Sequence, residues 1–378
     1  MSNKGGLEGI VVADVTTSLV NGEQGKLIYS GYSIEDLAEY ALFEEVEFLL
    51  WHTRLPNAQE LETLRHDIAV GAQLPEGVIN LMEALPKDAN PMGVLRTAVS
   101  ALAHYDDDSE NLTDKEVAVK KATRLTGQIT AVTAAWTRIR QGEEPIQARE
   151  DLTLAENFLY MMNGEEPDET AAAAIDAYLV LLAEHGMNAS TFSSRVTTAT
   201  GSDMHSAVVT AIGTLKGPSH GGANAEAMKL FLEIGSPDKV ESWFKNEVKG
   251  NGRRIMGIGH RVYKAPDPRA AILKARAQAL AEASGNTTWF EIAEKLEQAA
   301  LADDYFIERK LFPNVDYYSA IVLYTLHLDV DMFTPLFAMS RIAGWSAHII
   351  DQMGGRLIRP KANYVGPKDL TWTPVESR

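Results

Sequence analysis

Apolar residues recur at three- and four-residue spacing through almost the whole chain after Ser33, a periodicity typical of packed α-helices. Short polar stretches such as "NGEEPDET" separate these segments and are typical of exposed loops. Ser33 and Asp36 supply a cap and a first-turn acid for the first helix. The pattern predicts helices at 33–51, 58–70, 91–105, 114–139, 151–162, 169–185, 203–215, 223–234, 238–248, 268–284, 288–302, 316–327 and 333–354.

The residues before this series follow a different pattern. The stretch "GIVVADVTTSLVNGEQGKLIYSGYS" has β-branched residues on both sides of the turn signal Asn21-Gly22, so short strands are expected there. The sequence therefore predicts a mainly α fold with a small N-terminal β element. At 378 residues the chain is too long for one small core, and two domains or one large domain with an insertion are expected.

The composition excludes several classes of function. The chain has no cysteine, which removes disulfides, thiolate metal sites and cysteine nucleophiles. A net charge of −17 repels nucleic acid and anionic membranes, so neither is expected as a partner. The apolar segment 171–185 contains an aspartate and is typical of a core helix, and the first residues show no export signal. A cytoplasmic protein is expected.

One segment of this acidic chain is basic. Residues 249–269 hold six lysines and arginines against one acidic residue, Asp267. Such a cluster suits a small anionic ligand, and a solvated helix face is the alternative. Within it, Gly257 and Gly259 precede His260, and cations follow; this histidine could polarise a carbonyl flanked by carboxylates. The glycines do not form a dinucleotide-binding fingerprint.

Three further positions concentrate polar groups. His220 stands in "LKGPSHGGANAEAM" between glycines that allow close approach, just before a helix start near Ala223 whose dipole would favour a neutral ring. A surface turn is the alternative. Asp316 opens a helix in "LFPNVDYYSA", where an apolar wall would raise its pKa and the helix start would lower it, although it could simply cap that helix. His185 follows Leu182 and Tyr178 at helical spacing, a pattern typical of a satisfied core histidine.

The spacing of these residues does not favour a metal. No two of them fall at H-x-x-x-H or E-x-x-H spacing on one helix, and acid–base chemistry is the better interpretation. No P-loop is present either, which argues against a nucleotide-driven lyase.

Taken in order, "GPSHGGAN", "MGIGHRVYKAPDPR" and "FPNVDYYS" resemble the three catalytic segments of the citrate synthase family. The stretches "NGEQGKLIYSGY" near the start and "FAMSRIAGW" near the end also resemble family segments, so the similarity covers essentially the whole chain. Ser30 departs from the family pattern, because many relatives have arginine there, and it lies outside the catalytic groups.

The resemblance implies that acetyl-CoA adds to the ketone of oxaloacetate and that the resulting citryl-CoA is hydrolysed. Asp316 would take a proton from the thioester methyl group, and His220 would donate a hydrogen bond to the thioester oxygen. His260 would polarise the oxaloacetate ketone. Acetyl-CoA would be a co-substrate, and no cofactor would be needed.

The resemblance also implies substrate-binding residues. The oxaloacetate ligands would be His185, Arg269, Arg341 and Arg359, with Arg359 reaching the site of the partner subunit in a homodimer. Phe337 would line the pocket near Asp316. Coenzyme A phosphates would be bound by Arg254, Arg261 and Lys264.

The family fold implies a large domain, 1–221 and 328–378, and an inserted small domain, 222–327. Closure of the two domains would bring the base and the electrophile together, with oxaloacetate binding first.

Alternatives stay open at this point. A 2-methylcitrate synthase would use propionyl-CoA with the same groups, and one methyl group discriminates by only about 1–3 kcal/mol. The chain could also serve both acyl-CoA substrates. A catalytically idle binding protein is the third interpretation. The presence of His220, His260, Asp316, Arg269 and Arg341 argues against it.

Overall fold

The computed structural model describes residues 6–7, 9–108 and 113–378. Its only sheet in those residues is a three-stranded antiparallel meander of β1 (Ser18–Asn21), β2 (Lys26–Tyr29) and β3 (Tyr32–Ser33). Leu19 pairs with Ile28, and a four-residue loop joins β1 to β2 after Asn21. The predicted N-terminal β element is confirmed.

The rest of the regular structure is helical. The α-helices are α1 (Ile34–Tyr40), α2 (Phe43–His52), α3 (Ala58–Gly71), α4 (Glu76–Glu83), α5 (Pro91–Leu102), α6 (Lys115–Ile139), α7 (Leu154–Asn163), α8 (Glu169–Leu182), α9 (Ala189–Thr198), α10 (Met204–Leu215), α11 (Ala223–Ile234), α12 (Val240–Trp243), α13 (Pro268–Ser284), α14 (Thr288–Leu301), α15 (Asp304–Glu308), α16 (Val315–Thr325) and α17 (Phe333–Gln352). The mainly α fold is therefore confirmed.

The long helix α17 forms the centre of the larger group of helices. It is buried along nearly its whole length and packs against α2, α6, α8, α9 and α10. A second group surrounds α16, which contacts α11, α13 and α14. Helix α8 touches α13, α16 and α17, so its C-terminal end lies where the two groups meet.

The predicted helix 33–51 is two helices, α1 and α2. Ala41 and Leu42 are extended, and the Glu45 carboxylate accepts the Leu42 N–H at 2.8 Å, which starts a new helix. Asp176 of α8 accepts the Phe43 N–H at 3.0 Å. The break therefore depends partly on a residue far away in the sequence, and helical periodicity does not reveal it.

Other boundaries also differ from the prediction. Helix α8 ends at Leu182 rather than at His185, and the helices α4, α9 and α15 were not predicted. Asn188 caps α9 by accepting the Thr191 N–H at 3.1 Å. The predicted helix 238–248 is the single turn α12 followed by a π-helical segment, Phe244–Gly250. Across the described ranges, no helix has the length and apolar character needed to cross a membrane.

Candidate active site

Two of the predicted catalytic segments pair with each other. Ile258 and Pro313 form an isolated antiparallel bridge, the Gly259 N–H donates to the Phe312 carbonyl at 2.7 Å, and the Asn314 N–H donates to the Gly257 carbonyl at 2.8 Å. This short pairing joins the segment that carries His260 to the segment that carries Asp316.

The glycines before His260 are required by this pairing. Gly257 has φ +84, and a Cβ there would lie 2.8 Å from Cα of Tyr317. Gly259 has φ +94, and a Cβ on Gly259 would lie 3.0 Å from a Leu311 methyl carbon. Only glycine adopts this backbone without strain at such contact. The Gly-x-Gly pattern therefore serves the close approach of two chain segments.

The hydrogen bonds of His260 fix its tautomer. Its Nδ1 accepts the backbone N–H groups of Val262 at 3.0 Å and Tyr263 at 3.1 Å, so Nδ1 carries no proton. Burial, followed by the charge of Arg269, lowers the pKa of His260 to about 4. The ring is therefore neutral near pH 7, and Nε2–H is its donor.

His220 has the opposite tautomer. Its Nε2 accepts the backbone N–H of Ser190 at 3.3 Å and lies 2.8 Å from the Ser190 hydroxyl, to which Trp345 Nε1 donates at 3.0 Å. Burial, followed by the charge of Arg341, lowers the pKa of His220 to about 4. A neutral His220 therefore keeps its proton on Nδ1. The surface-turn alternative does not describe this half-buried, hydrogen-bonded ring.

The sequence interpretation assigned the neutral state of His220 to a helix dipole, whereas burial is the larger cause here. The glycine after His220 also has a structural reason. A Cβ on Gly221 would lie 2.3 Å from the Leu215 carbonyl oxygen, so the turn packs directly on the end of α10. Helix α11 does begin at Ala223, as predicted.

Asp316 is not the cap of its helix. Asn314 occupies the cap position of α16 and accepts the Asp316 N–H at 2.9 Å. The Asp316 carboxylate makes no hydrogen bond to any residue that the structure describes, and burial raises its pKa to about 6. Arg269 and Arg341 act in the opposite direction on this pKa. The carboxylate is thus free, and its pKa suits a general base.

Arg269 is held by a carboxylate that the sequence interpretation did not single out. Its Nε and Nη2 donate to Asp267 at 2.9 and 2.8 Å, and both side chains are buried. Asp267 also accepts the N–H groups of Arg269 at 3.1 Å and Val315 at 3.2 Å. The Asp-Pro pair that opens α13 is a cap signal visible in the sequence. Arg269 keeps Nη1 for a ligand.

Arg341 is buried without a carboxylate partner in the described part of the chain. Its Nε donates to the Leu182 carbonyl at 2.6 Å, and its guanidinium lies 4.7 Å from the centre of the Phe337 ring. Burial lowers its pKa, although the nearby Glu184 opposes that change. A buried cation without an ion pair is costly, and an anionic ligand would offset that cost.

His185 lies just beyond the end of α8, not on its apolar face. Its Nε2 is 3.2 Å from the Tyr263 hydroxyl, and its ring centre is 5.5 Å from those of both Tyr263 and His260. Burial, followed by the charges of Arg269 and Arg341, holds its pKa well below the usual range. His185 is therefore a third neutral imidazole, and its ring lies beside that of His260.

Glu184 and His348 were missed by sequence reasoning. Both side chains are fully buried; Glu184 Oε1 accepts the Ser18 hydroxyl at 2.9 Å and lies 3.1 Å from His348 Nε2. The same oxygen accepts the Gly186 N–H at 2.6 Å. These contacts hold the chain on both sides of His185. The contact between Glu184 and His348 joins residues 164 positions apart, and no local motif marks it.

The predicted coenzyme A ligands are exposed. Arg261 and Lys264 lie close enough to His260 to lower its pKa, whereas Arg254 makes no ion pair with a described residue. Arg359 is exposed on the segment after α17, which has no helix or strand, and it joins none of the contacts above. These four assignments stay predictions.

The arrangement is suited to acid–base chemistry on an anionic carbonyl compound. His185, His220 and His260 are neutral, Asp316 is a carboxylate with a raised pKa, and two buried guanidiniums neighbour them. Within the described ranges, no group of three histidines or carboxylates is placed to hold a metal ion.

Comparison with known proteins agrees with this chemistry. The family model "Citrate synthase, C-terminal domain" matches residues 6–361. The citrate synthase of Haloferax volcanii is 46% identical, covering 99% of each chain. A 2-methylcitrate synthase of Corynebacterium glutamicum is 39% identical, covering 99% of this chain and 97% of its own.

Solved structures give the same result for the fold. Citrate synthase from Pyrobaculum aerophilum superposes with a TM-score of 0.93 at 40% identity, covering 98% of this chain and 94% of its own. The Thermoplasma acidophilum citrate synthase, in a ternary complex with carboxymethyl coenzyme A and oxaloacetate, gives 0.91 at 34% identity and 98% coverage of each chain. The chain belongs to the citrate synthase family.

Proposed function

We propose that this chain condenses acetyl-CoA with oxaloacetate and hydrolyses the citryl-CoA formed, giving citrate and coenzyme A. The observation that carries this proposal is the pair of opposite histidine tautomers together with a carboxylate that has no hydrogen-bond partner among the described residues and lies near the same two arginines. His220 presents Nδ1–H, His260 presents Nε2–H, and Asp316 has a pKa of about 6. One base and two neutral donors are what an enol-forming condensation requires.

The chemical steps follow from these atoms. Asp316 takes a proton from the acetyl methyl group while His220 Nδ1–H donates to the thioester oxygen. The methyl carbon then forms a bond to the ketone carbon of oxaloacetate, and the ketone oxygen takes the proton of His260 Nε2 and becomes the hydroxyl of citryl-CoA. Water next cleaves the thioester of citryl-CoA, and coenzyme A leaves as the thiol.

The substrate carboxylates would bind the two buried arginines. Arg341 has an unpaired buried charge, and Arg269 has Nη1 free after its two bonds to Asp267. Guanidinium groups bind carboxylates in a bidentate manner. His185, held by Tyr263, would donate to the same substrate. Arg254, Arg261 and Lys264 would bind the phosphates of coenzyme A.

The assembly proposed is a homodimer in which Arg359 completes the oxaloacetate site of the partner subunit. The support is that residues 356–364 follow α17 as a mostly exposed segment without helix or strand, with Leu357 54% and Tyr364 68% exposed. The domain division proposed is a small domain, 222–327, inserted in a large one. The packing of α11, α13 and α14 around α16 supports it.

One comparison keeps propionyl-CoA open as a second substrate. The 2-methylcitrate synthase relative is 39% identical, between the 40% and 34% of the two solved citrate synthases and below the 46% of the Haloferax volcanii enzyme. One methyl group changes affinity by only about 1–3 kcal/mol. Release of the coenzyme A thiol with oxaloacetate, compared for acetyl-CoA and propionyl-CoA, tests the choice. We expect a higher kcat/KM with acetyl-CoA; equal values would indicate an enzyme serving both, and a higher value with propionyl-CoA would overturn the proposal.

A further inference from the structure

The hairpin of β1 and β2 contributes no group to the proposed chemistry, yet it touches both segments that carry the oxaloacetate histidines. Its tip is the loop 22–25, and its base is formed by Ser18 and Tyr29. The tip lies against residues 262–266, which follow His260. The base lies against residues 181–186, which surround His185.

At the tip, the hydrogen bonds to this segment join backbone atoms. The Gly22 carbonyl accepts the N–H groups of Lys264 at 2.9 Å and Ala265 at 3.3 Å. A Cβ on Gly22 would lie 2.1 Å from the Val262 carbonyl oxygen, and one on Gly25 would lie 2.6 Å from that of Pro266. Gly25 has φ +61, but Gly22 does not have a positive φ. Glycine at position 22 is therefore required by this contact and not by backbone strain.

At the base, two hydroxyl groups hold the chain beside His185. The Tyr29 hydroxyl donates to the Glu184 carbonyl at 2.8 Å and accepts the Glu184 N–H at 3.2 Å. The Ser18 hydroxyl donates to Glu184 Oε1 at 2.9 Å and accepts the Gly186 N–H at 3.1 Å. Tyr29 is fully buried, so these bonds are shielded from water.

We propose that this hairpin is a positioning clamp that fixes His260 relative to His185, and thereby the ketone of oxaloacetate relative to its polarising donor. The inference rests on the proposed function. The two rings lie 5.5 Å apart although 75 positions separate them in the chain, and the hairpin contacts both segments at once, from its tip and from its base. A misplacement of about 1 Å in such a site can cost about 100-fold in rate.

The test is Gly22→Ala, with Glu23→Ala as the matched control on the exposed part of the same loop. We expect Gly22→Ala to raise the KM for oxaloacetate and lower kcat/KM by about 100-fold, as such a misplacement would. We also expect the carbon-13 shift of the labelled ketone in bound oxaloacetate to move toward its value in water. Glu23→Ala is expected to match the unmodified chain in both measurements.

Tyr29→Phe tests the base of the hairpin and decides the matter if Gly22→Ala does not fold. It removes only the hydroxyl, and the same rise in KM and the same loss of the ketone shift are expected. Normal KM and ketone shift in a folded Gly22→Ala or in Tyr29→Phe would overturn the clamp. Absence of thiol release by the unmodified chain would overturn the proposed function instead, so the two failures are distinguishable.

Discussion

The backbone N–H of Ser190 donates to Nε2 of His220 at 3.3 Å, and this one bond leaves the proton of the neutral ring on Nδ1. Ser190 stands in the first turn of α9 and is itself buried, with Trp345 bonded to its hydroxyl. The orientation of the His220 donor is therefore set by the start of a helix that lies outside the turn in which the histidine stands.

The first prediction concerns these tautomers. Nitrogen-15 NMR of histidine-labelled protein should show His220 protonated on Nδ1 and His260 protonated on Nε2 at pH 7, because each ring accepts backbone N–H groups on the other nitrogen. His220→Gln and His260→Gln assign the signals. Finding both rings with the same protonated nitrogen would contradict the assignment of roles.

The second prediction is the pH dependence of catalysis. Burial raises the pKa of Asp316 to about 6, while the pKa values of His220 and His260 fall to about 4. A general base must be deprotonated, so kcat/KM for acetyl-CoA should be constant above that value and fall tenfold per pH unit below it. A profile that falls only below about pH 4.5 would indicate an Asp316 with the ordinary pKa of an aspartate.

The third prediction separates binding from stability at Arg341. Arg341→Gln should raise the KM for oxaloacetate strongly, because a substrate carboxylate loses its buried guanidinium partner, which costs about 2–5 kcal/mol of binding free energy. The free energy of unfolding without substrate should not fall, since the variant removes a buried charge that has no ion pair among the described residues. Arg309→Gln, on the exposed end of α15, is the control for both measurements. A large loss of stability with normal KM would show that Arg341 is structural.

The fourth prediction concerns Asp267, which holds Arg269, caps α13 and accepts the Val315 N–H. Asp267→Asn should lower the free energy of unfolding by about 3–5 kcal/mol, because it leaves a buried guanidinium unpaired. Asp303→Asn is the matched control: Asp303 caps α15 and pairs with Lys249 at the surface, so a loss of about 1 kcal/mol or less is expected. Urea unfolding measures both, and equal losses would contradict the account.

Local patterns in the sequence predicted the candidate catalytic residues better than they predicted the long-range contacts that position those residues. The caps formed by Asn314 and Asp267 act on backbone N–H groups two positions away, and the glycines at 257 and 259 are visible as a local pattern although the segment that they approach lies more than 50 positions away. Helix α9 escaped prediction because "ASTFSSRVTT" is rich in small polar residues and its apolar period is weak.

The remaining differences come from contacts between distant residues. Glu184 contacts His348, Tyr29 contacts Glu184, and Asp176 accepts the Phe43 N–H at the start of α2. Each contact joins residues more than a hundred positions apart. Periodicity and capping rules describe neighbours in the chain, so they do not contain this information. The roles of His185 and Arg341 came from family resemblance for the same reason.

The most direct test of the central claim is the change Asp316→Asn, measured by release of coenzyme A thiol and by the citrate formed from acetyl-CoA and oxaloacetate. Asp304→Asn, exposed on α15, is the matched control. The account predicts one citrate per thiol with the unmodified chain and with Asp304→Asn, and a kcat lower by about 100- to 10,000-fold with Asp316→Asn. An unchanged kcat in folded Asp316→Asn would contradict the assignment of this carboxylate as the base.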